Sequence, residues 1–171
     1  MRIRLLSAAL MALLALTILV APSASADNGG SESKIGISAA LQDKQVAFNV
    51  PIWVNSSFVI APAVQFISVS DVATDFGFGV SLRMNTREGK AVPYVGLMGG
   101  VLLLSPENGD SMTDIVIGPN FGGEYFIDDH FSFGVEFQVN ISFSDERSVR
   151  FGNPDGTNIN TAAVALASFY F

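Results

Sequence analysis

Along residues 131–144 apolar and polar side chains alternate without exception. Phe131, Phe133, Val135, Phe137, Val139, Ile141 and Phe143 occupy the odd positions; Ser132, Gly134, Glu136, Gln138, Asn140, Ser142 and Ser144 occupy the even ones. Successive side chains of a β-strand point to opposite faces, so a period of two predicts a long strand dividing two unlike environments. Seven further stretches have strand character: 33–42, 45–55, 58–70, 74–85, 91–104, 112–127 and 161–171. No sustained helical period interrupts them. In 74–85, Phe76, Phe78, Val80, Leu82 and Met84 oppose Asp75, Gly77, Gly79, Ser81, Arg83 and Asn85. In 45–55, Val46, Phe48, Val50, Ile52 and Val54 form the apolar set, and in 112–127 it is Ile115, Ile117, Phe121 and Tyr125, opposite Asp114, Asn120 and Glu124. The stretch 58–70 is mixed, with Ile60, Val64 and Phe66 as its apolar face, and 91–104 is apolar on both faces and rich in Gly. Tight turns are expected at Asp43-Lys44, Ser56-Ser57, 86–90 and 128–130, and loops at 105–111 and 145–160, the latter holding Asn153-Pro154-Asp155-Gly156.

Eight antiparallel strands in up-and-down order close into a barrel whose interior is just wide enough for side chains to fill. Nine Phe and their Val, Ile and Leu companions do not fit in that volume. The set dominated by Gly, Ala, Ser and Asn does, so the apolar set faces outward and the fold class is an all-β, eight-stranded antiparallel transmembrane β-barrel. A tilted membrane strand needs about 9–11 residues, and closure leaves no unpaired edge in hydrocarbon. The alternative with the faces exchanged is a soluble periplasmic lipid-binding barrel.

Composition adds a targeting segment. The chain has 171 residues, 49 % hydrophobic and 15 % charged, the size of one domain. Arg2 and Arg4 precede an apolar run over 5–20, and Ala24-Ser25-Ala26 offers the small-x-small pattern of a cleavage site. The expected organisation is a cleavable signal peptide over 1–26 with cleavage at Ala24 and Ala26, a flexible lead-in over 27–32 and the barrel over 33–171. A spanning helix is disfavoured, because the run is short of about 20 residues and Pro22 follows it. The absence of Cys excludes disulfides, thiolate metal sites and a cysteine-linked lipid anchor. Losing Arg2 and Arg4 takes the formal net charge from −7 to −9. With no basic cluster beyond the signal, nucleic acid is excluded as a partner.

Ala163, Ala165, Ala167, Phe169 and Phe171 alternate on one face and end in Phe, and 123–126 with 131–137 forms a hairpin of matching pattern. In these features the chain resembles the outer-membrane-protein β-barrel family, the small OmpA-like and OmpX-like barrels of Gram-negative bacteria. The resemblance implies export through the periplasm and residence in the outer membrane. It implies Phe169 and Phe171 as the C-terminal signal read by the barrel-assembly machinery, with periplasmic chaperones as partners during biogenesis. It also implies both termini on the periplasmic side. The very short turn at Asp43-Lys44 departs from relatives with long mobile loops and argues against roles built on that loop.

Hairpin parity sets Glu124 opposite Gly134 and Gly122 opposite Glu136, and Lys34 and Arg83 point inward at similar depth. Charges removed from water need partners, so the candidate site is a lumenal polar network of Lys34, Arg83, Glu124 and Glu136, filling the barrel rather than conducting. A general acid–base pair of the two glutamates is disfavoured because a filled lumen admits no substrate. His130 is a solvated turn residue without a Ser-His-Asp arrangement. Asp145, Glu146, Asn153 and Asp155 match no EF-hand spacing. No enzymatic activity, cofactor or metal is expected. The function expected is that of a monomeric integral outer-membrane barrel with a structural or surface-interaction role toward outer-membrane lipid and lipopolysaccharide. The alternative is a narrow porin-like passive pathway for small solutes. Alternation also predicts that Val135→Arg impairs folding into lipid while Gln138→Glu is far milder.

Overall fold

The computed structural model describes residues 34–42, 45–69, 73–86, 89–106 and 109–171. The expected signal peptide with Ala24 and Ala26, the lead-in 27–32, the turn Asp43-Lys44, and residues 87–88 of the turn 86–90 lie outside the described residues. Among the described residues nine strand segments form one antiparallel sheet: β1 Gly36–Gln42, β2 Gln45–Asn49, β3 Ile52–Asn55, β4 Phe58–Val69, β5 Ala73–Asn85, β6 Ala91–Pro106, β7 Met112–Phe126, β8 Phe131–Phe143 and β9 Thr157–Tyr170. β2 and β3 are one stave interrupted at Val50 and Pro51, since both pair with β4. Proline has no N–H to give to a ladder, which accounts for the break. Backbone bonds bridge it: the Val50 N–H donates to the Pro62 carbonyl at 2.9 Å and the Trp53 N–H to that of Lys34 at 2.8 Å. Each stave pairs with its successor and β9 returns to β1. Eight staves therefore close, and the sheet has no free edge.

The faces divide as alternation predicts. Phe48, Phe66, Leu97, Phe121, Val135 and Phe137 are exposed on the outside, whereas Ser38, Asn120, Ser132, Ser142 and Ser168 are buried within. One expectation fails at Ile52, which belongs to the outward set by parity yet is 8 % exposed. It lies between its register partners Ile35 and Ile60, which cover it from both sides. A second correction concerns the last loop. β9 begins at Thr157 rather than at residue 161, because the ladder with β8 runs on through Ile141↔Ile159 to Phe143↔Thr157. The Thr-Asn-Ile-Asn composition of that stretch resembles a loop, but the partner strand fixes it as sheet.

Glycine makes the crowded lumen possible. Tyr170 lies opposite Gly36, Arg83 opposite Gly96, Glu124 opposite Gly134, and Gly122 faces both Tyr94 and Glu136. A Cβ at Gly36 would meet the Tyr170 ring at 2.7 Å, and one at Gly134 would meet Glu124 Cγ at 3.0 Å. These glycines are absences of side chain that let a large neighbour lie flat across the next strand.

Candidate functional site

Near the start of β1 and the end of β9 the lumen is crossed by a charge cluster built on strands. Arg83 of β5, 4 % exposed, reaches Glu124 of β7 at 3.3 Å and Glu136 of β8 at 3.2 Å. Its Nε donates to Ser81 at 3.4 Å, and its guanidinium carbon lies 4.8 Å from the centre of the Tyr94 ring. Glu124 Oε2 accepts from Ser132 at 2.6 Å and from the Tyr170 hydroxyl at 2.8 Å. Glu136 accepts from Tyr94 at 2.8 Å, Asn120 at 2.9 Å and Gln138 at 2.7 Å. Each buried carboxylate thus has the cation and the hydrogen bonds that burial demands. The register matches the hairpin parity read from sequence, Glu124↔Gly134 and Gly122↔Glu136.

Of the four residues expected in this network, the structure brings together Arg83, Glu124 and Glu136 and leaves Lys34 out. Lys34 makes no ion pair with either glutamate. The hydroxyls of Tyr170 and Ser132 donate to Glu124 Oε2 in its place. Sequence reasoning missed Tyr94, Asn120, Ser132 and Tyr170. A signal existed for Tyr94 and Tyr170: each has lumenal parity and lies across from a glycine.

A second cluster closes the opposite, loop end of the barrel and was not anticipated. Arg150, in the loop 145–156, donates through both terminal nitrogens to Asp75 of β5, through Nη2 at 2.9 Å, and through Nε to Asp114 of β7 at 2.9 Å. Asp114 also accepts from Ser148 Oγ at 2.8 Å and the Asp145 N–H at 3.0 Å. Burial opposes the Arg150 charge, but the hydrogen bonds and charges of Asp75 and Asp114 outweigh it and hold the guanidinium above its ordinary pKa. Outside it, Arg147 pairs with Asp110 at 2.7 Å. The Asp145 carboxylate accepts the Arg147 N–H at 3.0 Å, which holds it below the usual carboxylate range. Asn153 donates instead to the Thr157 carbonyl at 3.1 Å, so the Asp145 and Asn153 side chains are spent on holding this loop and its flanks. At the other end His130 Nδ1 lies 3.0 Å from the Tyr170 carbonyl, to which it can only donate, and its ring stacks on Phe169. His130 therefore clasps the end of β9 to the preceding turn.

Between the clusters lies a cavity of about 640 Å³, which corrects the expectation of a lumen filled throughout. Its cause is local: on the β5–β6 wall the lumenal positions Gly79 and Gly100 face each other across the ladder, so that stretch of the lumen carries no side chain. Ala40, Ala61, Met98, Val116, Val164 and Leu166 supply an apolar lining. Gln65, Gln138, Asn140 and Asn160 supply amides, with Arg83 and Glu136 below and Arg150 and Phe151 above.

No family model matches the chain, and no curated protein matches it. Solved structures do. The N-terminal β-barrel domain of Pseudomonas aeruginosa OprF matches with a TM-score of 0.52 at 14 % identity, covering 84 % of this chain and 100 % of that one. Neisserial surface protein A matches with a TM-score of 0.50 at 12 % identity, covering 81 % and 92 %. The chain shares with them the closed eight-stranded antiparallel barrel, and at these identities the likeness is one of fold.

Proposed function

We propose that the protein is an integral outer-membrane barrel with a structural or surface-interaction role and no open channel. The observation that carries this reading is the belt of exposed Phe, Leu, Val and Ile around a sheet without an edge. Water would not tolerate so extensive an apolar surface on a monomer, whereas acyl chains would. The 13 residues of β8, at about 3.3 Å each and a tilt of about 40°, rise roughly 33 Å, enough for an apolar band of about 25 Å. The relatives in fold are outer-membrane proteins, and this supports the same location, with both termini periplasmic and the loop 145–156 outside. Phe169 and Phe171, exposed on the outer face of the last stave, suit an assembly signal for the barrel machinery. Lipid and lipopolysaccharide are the partners that the belt and loops would meet.

Two experiments test it. Folded protein should require detergent for extraction and migrate faster on a denaturing gel before boiling than after; extraction in buffer alone would instead favour a soluble lipid carrier. In planar bilayers the purified protein should give no channel events, since the Arg83 cluster spans the lumen. The cavity favours the second reading, a narrow passive pathway, and reproducible openings would establish it. Val135→Arg, on the outer face, should cost about 2–4 kcal/mol of folding into lipid.

A further inference from the structure

The cavity between the two clusters has the volume of a small-molecule site, of the order of 300–1,000 Å³, and its chemistry selects by charge. Among the described residues lining it the cationic groups are Arg83 and Arg150, and every nitrogen of both guanidiniums is engaged by a carboxylate or a hydroxyl. An anion entering the cavity would find no cation to receive it. Acceptors remain available. Glu136 Oε1 takes only the Gln138 bond, and Asn140, 8 % exposed and part of the lining, has an Oδ1 that accepts nothing. That oxygen is closed to solvent as the side chain stands, so a ligand donor would relieve it once the amide turns toward the cavity. The approach is biased the same way. Around the loop end the described residues include Asp75, Asp110, Asp114, Asp145, Glu146 and Asp155 against Arg147 and Arg150, a field that attracts cations.

We propose that this cavity binds a small organic cation of the primary alkylammonium class. The alkyl body lies against Ala61, Val116, Val164 and Leu166, and the ammonium donates to Asn140, Gln138 and Glu136. Loop 145–156, pinned by Arg150, covers the entrance. This goes beyond residence in the membrane and is independent of conductance.

The test is methyl NMR of the folded chain in nanodiscs, titrated separately with n-pentylammonium, pentan-1-ol and pentanoate. Saturable shifts of the lumenal methyls of Met98, Val116 and Leu166, with pentylammonium bound at least about tenfold more tightly than the alcohol or the acid, are expected. The lipid-facing methyls of Leu97 and Val135 should not follow the same curve. Ala61→Leu should abolish the lumenal shifts while keeping heat-modifiable migration. Should that variant not fold, Asn140→Ala should reduce the preference for the ammonium over the alcohol. Equal affinity for the three probes, shifts confined to the outer methyls, no saturation, or a preference unchanged in the folded variants would each overturn the proposal.

Discussion

The two ends of the lumen use the same chemistry, one arginine between two carboxylates, and build it differently. At the terminal end all three members sit on strands, so the ladder registers of β5, β7 and β8 fix the distances, and Arg83 and Glu124 are 4 % and 7 % exposed. At the loop end both carboxylates are on strands but the arginine comes from a loop, and Arg150 is 14 % exposed. The first cluster belongs to the wall. The second is a latch, in which the loop's own fold brings the cation to a waiting pair of acids. Burial of a paired charge is weak evidence for stability, but breaking the pair strands the remaining charges, and the penalty should follow how far water can return.

The sharpest test is Arg83→Met. It leaves Glu124 and Glu136 together in the lumen without their cation, and should lower unfolding free energy by about 3–5 kcal/mol, measured by denaturant titration in detergent micelles or lipid. Arg150→Met should cost less, about 1–3 kcal/mol, because Asp75 and Asp114 can rehydrate once the loop lifts. Its signature should be local: faster amide exchange over 145–156, with the β5–β8 amides unchanged. If the two variants cost the same, the distinction between wall and latch fails.

That distinction also explains what could be read from the sequence. Alternation makes the staves at 45–55, 74–85, 112–127 and 131–144 and their outer faces legible, though not the faces of 58–70 and 91–104, and hairpin parity makes the Glu124–Gly134 and Gly122–Glu136 pairings legible, because strand geometry converts position directly into side-chain direction. Arg83 follows from the same rule. Lys34 misled because parity and depth do not say which donors reach a carboxylate, and at Glu124 Oε2 these are the hydroxyls of Tyr170 and Ser132. The Arg150 latch was out of reach, since a loop has no period from which to infer that residue 150 returns over Asp75. The cavity was missed for another reason. The stretch 91–104 shows its richness in Gly, and a Cβ at Gly100 would indeed meet the Phe78 carbonyl at 2.8 Å, but close approach of the two backbones does not tell how much of the lumen above them is left unfilled.

Gln138→Glu separates the two kinds of knowledge at a single residue. Alternation makes it a mild change on a polar face. In the structure Gln138 Nε2 donates to Glu136 Oε1 at 2.7 Å, and a carboxylate there loses the donor and adds a like charge. The expected loss is about 1–2 kcal/mol, below Arg83→Met because the side chain borders the cavity and can swing away. A neutral result would mean that Glu136 is held by Arg83, Tyr94 and Asn120 alone.

The smallest effect concerns acid, and it bears on the latch through Asp145. The Asp145 carboxylate accepts the Arg147 N–H and, at 3.5 Å, that of Thr113, while its own N–H donates to Asp114. Its pKa is held below the ordinary value of 3.8, first by the Arg147 N–H. Asp128, which accepts the His130 and Phe131 N–H groups at 2.9 and 2.8 Å in the turn at the terminal end, is lowered in the same way. A carboxylate whose folded pKa is depressed contributes stability that is fully present above its unfolded value and fades as pH falls through the folded one. Both ends should therefore hold their turn geometry from neutrality down to about the unfolded carboxylate value and loosen only below it. Amide shifts of Arg147 and of His130 followed together through an acid titration would show this. A loop that opened nearer neutrality while the His130 turn stayed closed would mean that the latch responds to a group other than Asp145, and that the two ends differ in what they sense as well as in how they are built.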